Sequence, residues 1–386
     1  MGEESWIDCP VIDGHVHYGH PSLMPDLMDV FDQYQIDRLN IVCTPHMERL
    51  SLVPDAIHLK AHFPNRIYVF GGLDISVFFR APLQAGQMLA DYVDLLMAMG
   101  CDGIKMIEGK PTIRQMLPIN GFDADVLDPY WKHLEKRGVP VVFHVNDPEE
   151  FWDEEKLPDW AKEAGWFYGD GSFVNNEAQY QEVLNVLEKH PNLKIIFAHF
   201  FFLSAQLPRL AEYLDRFPNM HVDLTPGIEM YRNFSENIQQ TRDFFIKYQD
   251  RIIFGTDIGA NSVVKEDDIQ IDKVDSRARV HVIRNFLELD RPFSLDGKSG
   301  FLFGKEDKDF CGIGLQREIL EKIYYKNFEE LVGTKPRLLN KEVILQAFYQ
   351  LSEMIKIQGS AQPGVPGDPS VVEQVKAYFE GKGDAF

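Results

Sequence analysis

The sequence predicts an α/β chain folded as a (β/α)8 TIM barrel with a helical appendage at its C-terminus. Three observations carry this. Short β-branched or aromatic runs alternate with longer helical patterns, which is the signature of βα units and a parallel sheet. There are eight such runs, with a further helical stretch after the eighth. No glycine-rich phosphate turn follows the first run, which argues against a doubly wound sheet, the competing arrangement.

The expected strands are Pro10–Tyr18, Arg38–Pro45, Arg66–Asp74, Asp102–Glu108, Val139–Asp147, Leu193–Phe201, Met220–Pro226 and Arg251–Ile258. Between them the helical pattern covers Leu83–Met99, Asp125–Lys136, Glu177–Lys189, Ala205–Phe217 and Glu236–Tyr248, and Ser276–Leu289 follows the last. Three helices are followed by one kind of stop: Phe63-Pro64-Asn65, His190-Pro191-Asn192 and Phe217-Pro218-Asn219. Proline ends the helix there and asparagine turns the chain into the next strand. Two stretches interrupt the rhythm. Pro148–Asn176, rich in Trp, Phe and acidic residues, is either a lid over the pocket or a packed surface insertion. Arg291–Gly314 is glycine-rich and leads to a helix at Gln316–Leu331. Beyond it come a helix at Lys341–Ile357, a Pro/Gly linker at Gly359–Pro369 and a last short helix. Residues 1–330 are therefore expected to form the barrel. Residues 331–386 are expected to form an extension that closes its side or meets a partner chain, and a homo-oligomer is anticipated.

With 386 residues, 45% hydrophobic and 12% aromatic, the chain can bury a large core. Its formal charge of -21, from 60 acidic and 39 basic residues, opposes nucleic-acid binding, which needs clustered Lys and Arg. An anionic small molecule stays compatible with it, because the field in a cleft can differ from the net charge. No run of about 18 apolar residues suggests a membrane span. Met1–Pro10 does not read as a secretory signal, and Cys9, Cys43, Cys101 and Cys311 are too dispersed for a CxxC site. A cytoplasmic location with reduced thiols is expected.

Active sites of such barrels lie at the C-terminal ends of the strands, which turns twelve histidines into a test. His15 and His17 stand two apart near the end of strand one, so their side chains share a face. His144 ends strand five, His199 strand six and Asp257 strand eight. Any one of them alone reads as a hydrogen-bonded core histidine or a helix cap. All five at the same end read as a metal site. Lys105, on strand four, faces an anionic substrate or pairs with a carboxylate such as Glu108. His46 leaves strand two at the catalytic end and is expected to contact substrate; Arg80 follows strand three, where it either meets a substrate carboxylate or is a surface residue. His58 and His62, four apart on the helix after strand two, lack an evident third ligand and read as a solvated face. Asp296-Gly297-Lys298-Ser299 ends like a phosphate-binding loop, but Pro292 occupies the place of its first glycine.

The segment Val11-Ile12-Asp13-Gly14-His15-Val16-His17 resembles the opening signature of the amidohydrolase superfamily. Gly103-Ile104-Lys105-Met106, Val142-Phe143-His144, Phe197-Ala198-His199 and Phe254-Gly255-Thr256-Asp257 are similar to its amidohydrolase-related branch, which includes aminocarboxymuconate-semialdehyde decarboxylase. The resemblance covers about residues 8–330 and takes in the turn Ile323-Tyr324-Tyr325-Lys326-Asn327. It implies a metal-dependent hydrolase of the TIM-barrel type. His15, His17, His144 and Asp257 would hold one divalent metal, Zn2+, with His199 beside the activated water. Asp257 would share in catalysis, and Lys105 would stay unmodified rather than carry a carbamate between two metals. Water attacking a C–N or C–O carbonyl bond of a small molecule is the implied reaction. Non-oxidative decarboxylation of an unsaturated or aromatic carboxylate is the alternative. Two departures weigh against a particular decarboxylase. Phe200-Phe201-Phe202-Leu203 stands where a glycine-rich stretch is common, and Ile258-Gly259-Ala260 follows Asp257.

Overall fold

The computed structural model describes residues 6–227, 229–260, 263, 269–295, 309–361 and 367–382; the motif Asp296–Ser299 and parts of the stretches 291–314 and 359–369 lie outside the described residues. Eight parallel strands follow one another around a single sheet: β1 (Ile12–Val16), β2 (Arg38–Val42), β3 (Ile67–Gly72), β4 (Gly103–Gly109), β5 (Val141–Val145), β6 (Ile195–Phe197), β7 (Met220–Asp223) and β8 (Ile252–Ile253). The sheet closes on itself past β8. Asp257 N–H donates to the His15 carbonyl at 2.8 Å, His17 N–H to Ile258 at 2.8 Å, and Gly14 N–H to Phe254 at 2.8 Å. Closure leaves no edge strand in the barrel.

One main helix follows each strand: α1 (Met24–Gln33), α2 (Val53–His62), α3 (Ala85–Met99), α4 (Asp128–Arg137), α5 (Asn176–Lys189), α6 (Leu207–Arg216), α7 (Ile238–Lys247) and α8 (Lys273–Glu288). α2, α5 and α6 end at the three proline–asparagine stops. Asn175 and Asp272 cap α5 and α8, each side chain accepting first-turn amides that have no partner within the helix.

The barrel interior is apolar below and polar above. Ile12, Val42, Phe70, Val142, Ile196 and Ile253 meet in its lower half, and Phe328 plugs it from the segment after α8. The turn Ile323–Asn327 is a π-helical bulge at Lys322–Lys326. It pins the last strand, since Asn327 Nδ2 donates to the carbonyls of Gln249 and Ile252, and Phe254 N–H donates to Ile323.

Strand six is shorter than its sequence suggests. The ladder stops at Phe197, because His199, Phe200, Phe201 and Phe202 take φ values of 55°, 56°, 58° and 52°, a left-handed turn that cannot pair as a strand. The C-terminal extension, α9 (Lys341–Ala361) and α10 (Ser370–Glu380), lies along the barrel's side, α9 against α3 and α10 against α2. It also corrects the reading of His58 and His62. His58 is buried, and Tyr378 of α10 stacks on His62 at 4.9 Å, so this face is covered rather than solvated.

Phe328→Ala is expected to lower unfolding free energy by about 3–5 kcal/mol, as for other large-to-small changes in a closed core. Phe328→Leu should cost well under half of that. Urea titration checks this, and equal costs for the two variants would show that Phe328 does not plug the floor.

Candidate metal centre

Above the apolar floor a cleft of about 1190 Å3 opens at the C-terminal ends of the strands. Its base is built around His15. Nδ1 of His15 lies 2.8 Å from Asp223 Oδ2, and Asp223 ends β7. With its Nδ1 proton held by that carboxylate, His15 presents the Nε2 lone pair to the cleft. Lys105 Nζ sits 3.1 Å from this Nε2. Asp257 enters from the closing seam, its backbone at φ 61°, a left-handed conformation that aspartate tolerates better than most. Its Oδ1 is 3.2 Å from His17 Nε2 and 3.7 Å from His15 Nε2, while Oδ2 accepts from Arg279 Nη1 at 3.2 Å. One donor atom from each of His15, His17 and Asp257 falls within 4.8 Å of the others.

The remaining predicted residues line the same cleft, in different relations to this group. His144 reaches it from β5, but lies outside the compact triad, and its Nε2 is 3.2 Å from Asp147 Oδ1. Asp147 also accepts from Lys110 and from the Tyr168 hydroxyl at 2.7 Å. His199 sits between His144, 4.9 Å away centroid to centroid, and His15, at 5.9 Å, with Phe202 stacked on its other face at 5.0 Å. The Lys105–Glu108 pair does not form as a contact; Lys105 turns to His15 instead. His46 accepts two backbone amides within its own hairpin, Pro45–His46 with Leu50–Ser51, and Arg80 is held by Asp74 at 2.8 Å; both stand toward the rim. Pro148–Asn176 is a packed insertion. It has its own small core of Phe151, Ala161 and Tyr168, and gives Phe151 and Trp166 to the cleft wall. Gly259 carries a positive φ of 84°, and a Cβ there would stand 2.1 Å from the His17 carbonyl, so only glycine lets the seam pass this close.

Sequence reading missed four supporting residues: Asp13, Asp147, Asp223 and Arg279. Asp223 had a usable signal, since it ends strand seven just as His144 ends strand five. Arg279 had none, being one arginine of a long helix. Asp13 accepts the amides of His15 and Thr256 and the Thr256 hydroxyl, which ties the first strand's signature to the eighth strand's.

Burial sets the electrostatics. It drives His15 and His199 well below the ordinary imidazole range, aided by Lys105 and His144 respectively, so both rings are neutral at pH 7. Burial also lowers Lys105 to about 8, against the pull of Asp223 and Asp257. For Asp257 burial acts upward, but His17 and Arg279 outweigh it and hold the carboxyl well below its usual range. Two imidazole nitrogens and an ionised carboxylate on converging atoms form a donor set suited to a divalent cation of borderline softness. The Nδ1 atoms of His17 and His199 are buried with no hydrogen-bond partner among the described residues, which again fits a site made for a further group.

The amidohydrolase family model matches residues 98–334. No curated protein matches the chain. Among solved structures, a putative amidohydrolase from Staphylococcus aureus is similar at 15% identity, with 84% of this chain and 100% of that one covered and a TM-score of 0.52. A dihydroxybenzoic acid decarboxylase from Polaromonas sp. JS666, with bound manganese and the inhibitor 2-nitroresorcinol, is 15% identical over 84% and 96% of the two chains, with a TM-score of 0.48. A probable 2-pyrone-4,6-dicarboxylic acid hydrolase from Acinetobacter baumannii is 11% identical over 84% and 100%, with a TM-score of 0.47. At such identities likeness speaks to the fold alone, and the first of the three supports the barrel.

Glu229, just past β7 at the catalytic end, is buried and its carboxylate meets no side-chain partner among the described residues. Burial, with Glu150 and Asp147 adding repulsion, raises it from 4.5 to about 8. The folded chain thus keeps a proton that the unfolded chain has released, so stability should fall as pH rises through that window. Glu229→Gln is expected to match the parent near pH 4.5 and exceed it by about 1–3 kcal/mol at pH 8.5. Urea titrations at both pH values test this; a difference independent of pH would contradict it.

Proposed function

The chain belongs to the amidohydrolase family, and from that premise we propose that it is a metal-dependent hydrolase in which activated water attacks a C–N or C–O carbonyl bond of a small molecule. The convergence of His15, His17 and Asp257 donor atoms within 4.8 Å carries the reading. His15, His17 and Asp257 would hold a divalent metal, with His144 from β5 completing the set and Zn2+ the ion best suited to these donors. When bound, the metal supplies Lewis-acid chemistry, polarising the carbonyl and lowering the pKa of water.

The protein's own groups do the rest. His199, neutral and half-buried beside His15 and His144, accepts the proton that the attacking water loses and returns it to the leaving group. Asp223 keeps His15 in one tautomer, and Arg279 keeps Asp257 ionised and aimed. Lys105 directs an ammonium into the base of the cleft, where it orients an anionic or carbonyl oxygen. Arg80 and His46, at the rim, contact the far end of the substrate. Residues 1–330 supply all of these groups, and residues 331–386 act as a lateral extension.

The purified protein should contain about one divalent ion per chain, and His15→Ala/His17→Ala should lose it while the circular dichroism of the barrel persists. Two ions per chain, or full metal in the double variant, would overturn this site. His199→Asn should retain the metal while turnover on the best amide, lactone or ester falls by about 10²–10⁴-fold. Full metal with near-normal turnover would remove His199 from the mechanism. Carbon dioxide measured in the same screen decides the reaction class, since its release without hydrolysis would make the enzyme a carboxy-lyase.

A further inference from the structure

We infer that the substrate of this site is an amphiphile: a carboxylate or carbonyl head at the histidine cluster and an extended apolar body running along the cleft to its rim. The inference rests on the proposed reading of the cluster as the reacting centre. Its own support is the distribution of apolar side chains. Met47, Phe79, Met116, Met354 and Ile357 are 63%, 57%, 57%, 38% and 64% exposed, and all five line this one cleft. Exposed apolar residues are ordinarily scattered; gathered around one opening, they mark a surface that is covered in use.

The five come from separate parts of the chain: the hairpin after β2, the short helices Val77–Arg80 after β3 and Pro111–Met116 after β4, and α9 of the C-terminal extension. The apolar surface then continues inward. Ile75, Ile107, Ile113 and Phe202 line the wall between rim and base, and Phe202 stacks directly on His199. A partner that capped the mouth would explain the rim but not this inner wall. Volume points the same way, since 1190 Å3 exceeds the roughly 300–1,000 Å3 of ordinary small-molecule sites. The charges fix the orientation. Arg80, Lys110 and Arg279 are each engaged by an aspartate, whereas the Lys105 ammonium, at the base, has no carboxylate within hydrogen-bonding distance among the described residues. An anionic or carbonyl head therefore belongs deep and the apolar body outward. The C-terminal extension acquires a role as well, because Met354 and Ile357 make it one wall of the substrate channel.

The test is calorimetric binding of butanoate, hexanoate, octanoate and decanoate, each below its micellar concentration, to the metal-bearing protein. Affinity should rise roughly two- to fourfold per methylene. In Phe79→Ser/Ile357→Ser, both exposed positions whose change leaves the core intact, the rise should flatten beyond hexanoate while butanoate binding is unchanged. A flat series in the parent, or the same slope in parent and variant, overturns the inference. Sedimentation of both proteins covers the competing occupant: a dimer that the double variant dissociates, with a flat series, would make the rim a contact between copies. Chelation separates this from the metal reading. If removing metal leaves butanoate binding unchanged while the slope persists, the metal reading falls and the apolar channel stands.

Discussion

The seam between the first and eighth strands organises this molecule. Neither segment could hold a site by itself: β1 and the residue just past it offer two histidines, and the chain past β8 a single aspartate. Three backbone hydrogen bonds, from Gly14, His17 and Asp257, lock them side by side, and the donor groups arrive together as a consequence. Closing a barrel of eight strands couples this local contact to everything else, because strand tilt and stagger must be consistent around the whole ring. The seam is reinforced at both ends. Above, Asp13 grips Thr256, and Gly259 admits the His17 carbonyl; below, Asn327 and Phe328 hold the last strand from the floor.

A cluster of imidazoles and carboxylates in a protein interior is costly unless each member is partnered. Here the compensation is local and layered. Asp223 serves His15 and, through its other oxygen, the amides of His199 and Thr225. Asp147 ties His144 to Lys110 and Tyr168, which joins the base of the cleft to the aromatic insertion. Arg279 bridges Asp257 and Asp275. The result is that His15, His144 and His199 are held toward the neutral form while Asp257 and Asp147 are held ionised, a protonation pattern compatible with metal ligation.

Much of this was legible in the sequence because it is local. Strand identity follows from short apolar runs, and the rule that strands deliver function at their C-terminal ends brought His15, His17, His144, His199 and Asp257 to one cleft. What stayed illegible depends on pairings distant in the chain. Nothing near Arg279 says that it will meet a residue 22 positions earlier, and nothing in α9 says that Met354 will reach the mouth of the barrel. The solvated reading of His58 and His62 failed for the same reason, since Tyr378, which covers His62, lies more than three hundred residues away. The strand-six boundary failed for a different reason. Phe197-Ala198-His199-Phe200-Phe201-Phe202 has the composition of a strand, and only tertiary packing overrides that preference.

That override carries a local cost and shapes the wall of the site. Four successive L-residues in the left-handed region cost about 1–2 kcal/mol each, a strain that persists only where the surroundings over-determine it. Aromatic packing does so here. Phe201 stacks on Phe197 at 3.9 Å, Phe200 lies parallel to Phe245 at 5.7 Å, and Phe202 lies over His199. Asp223 then takes the His199 amide, which fixes where the turn begins. A glycine-rich turn would adopt the same backbone with little strain, but it would bring no side chains. Built from phenylalanine, the turn anchors two rings in the outer core and leaves the third beside His199, in the cleft. One segment thus sets the position of the proton-transfer candidate and the apolar character of the wall next to it, so chemistry and specificity change together whenever this turn changes.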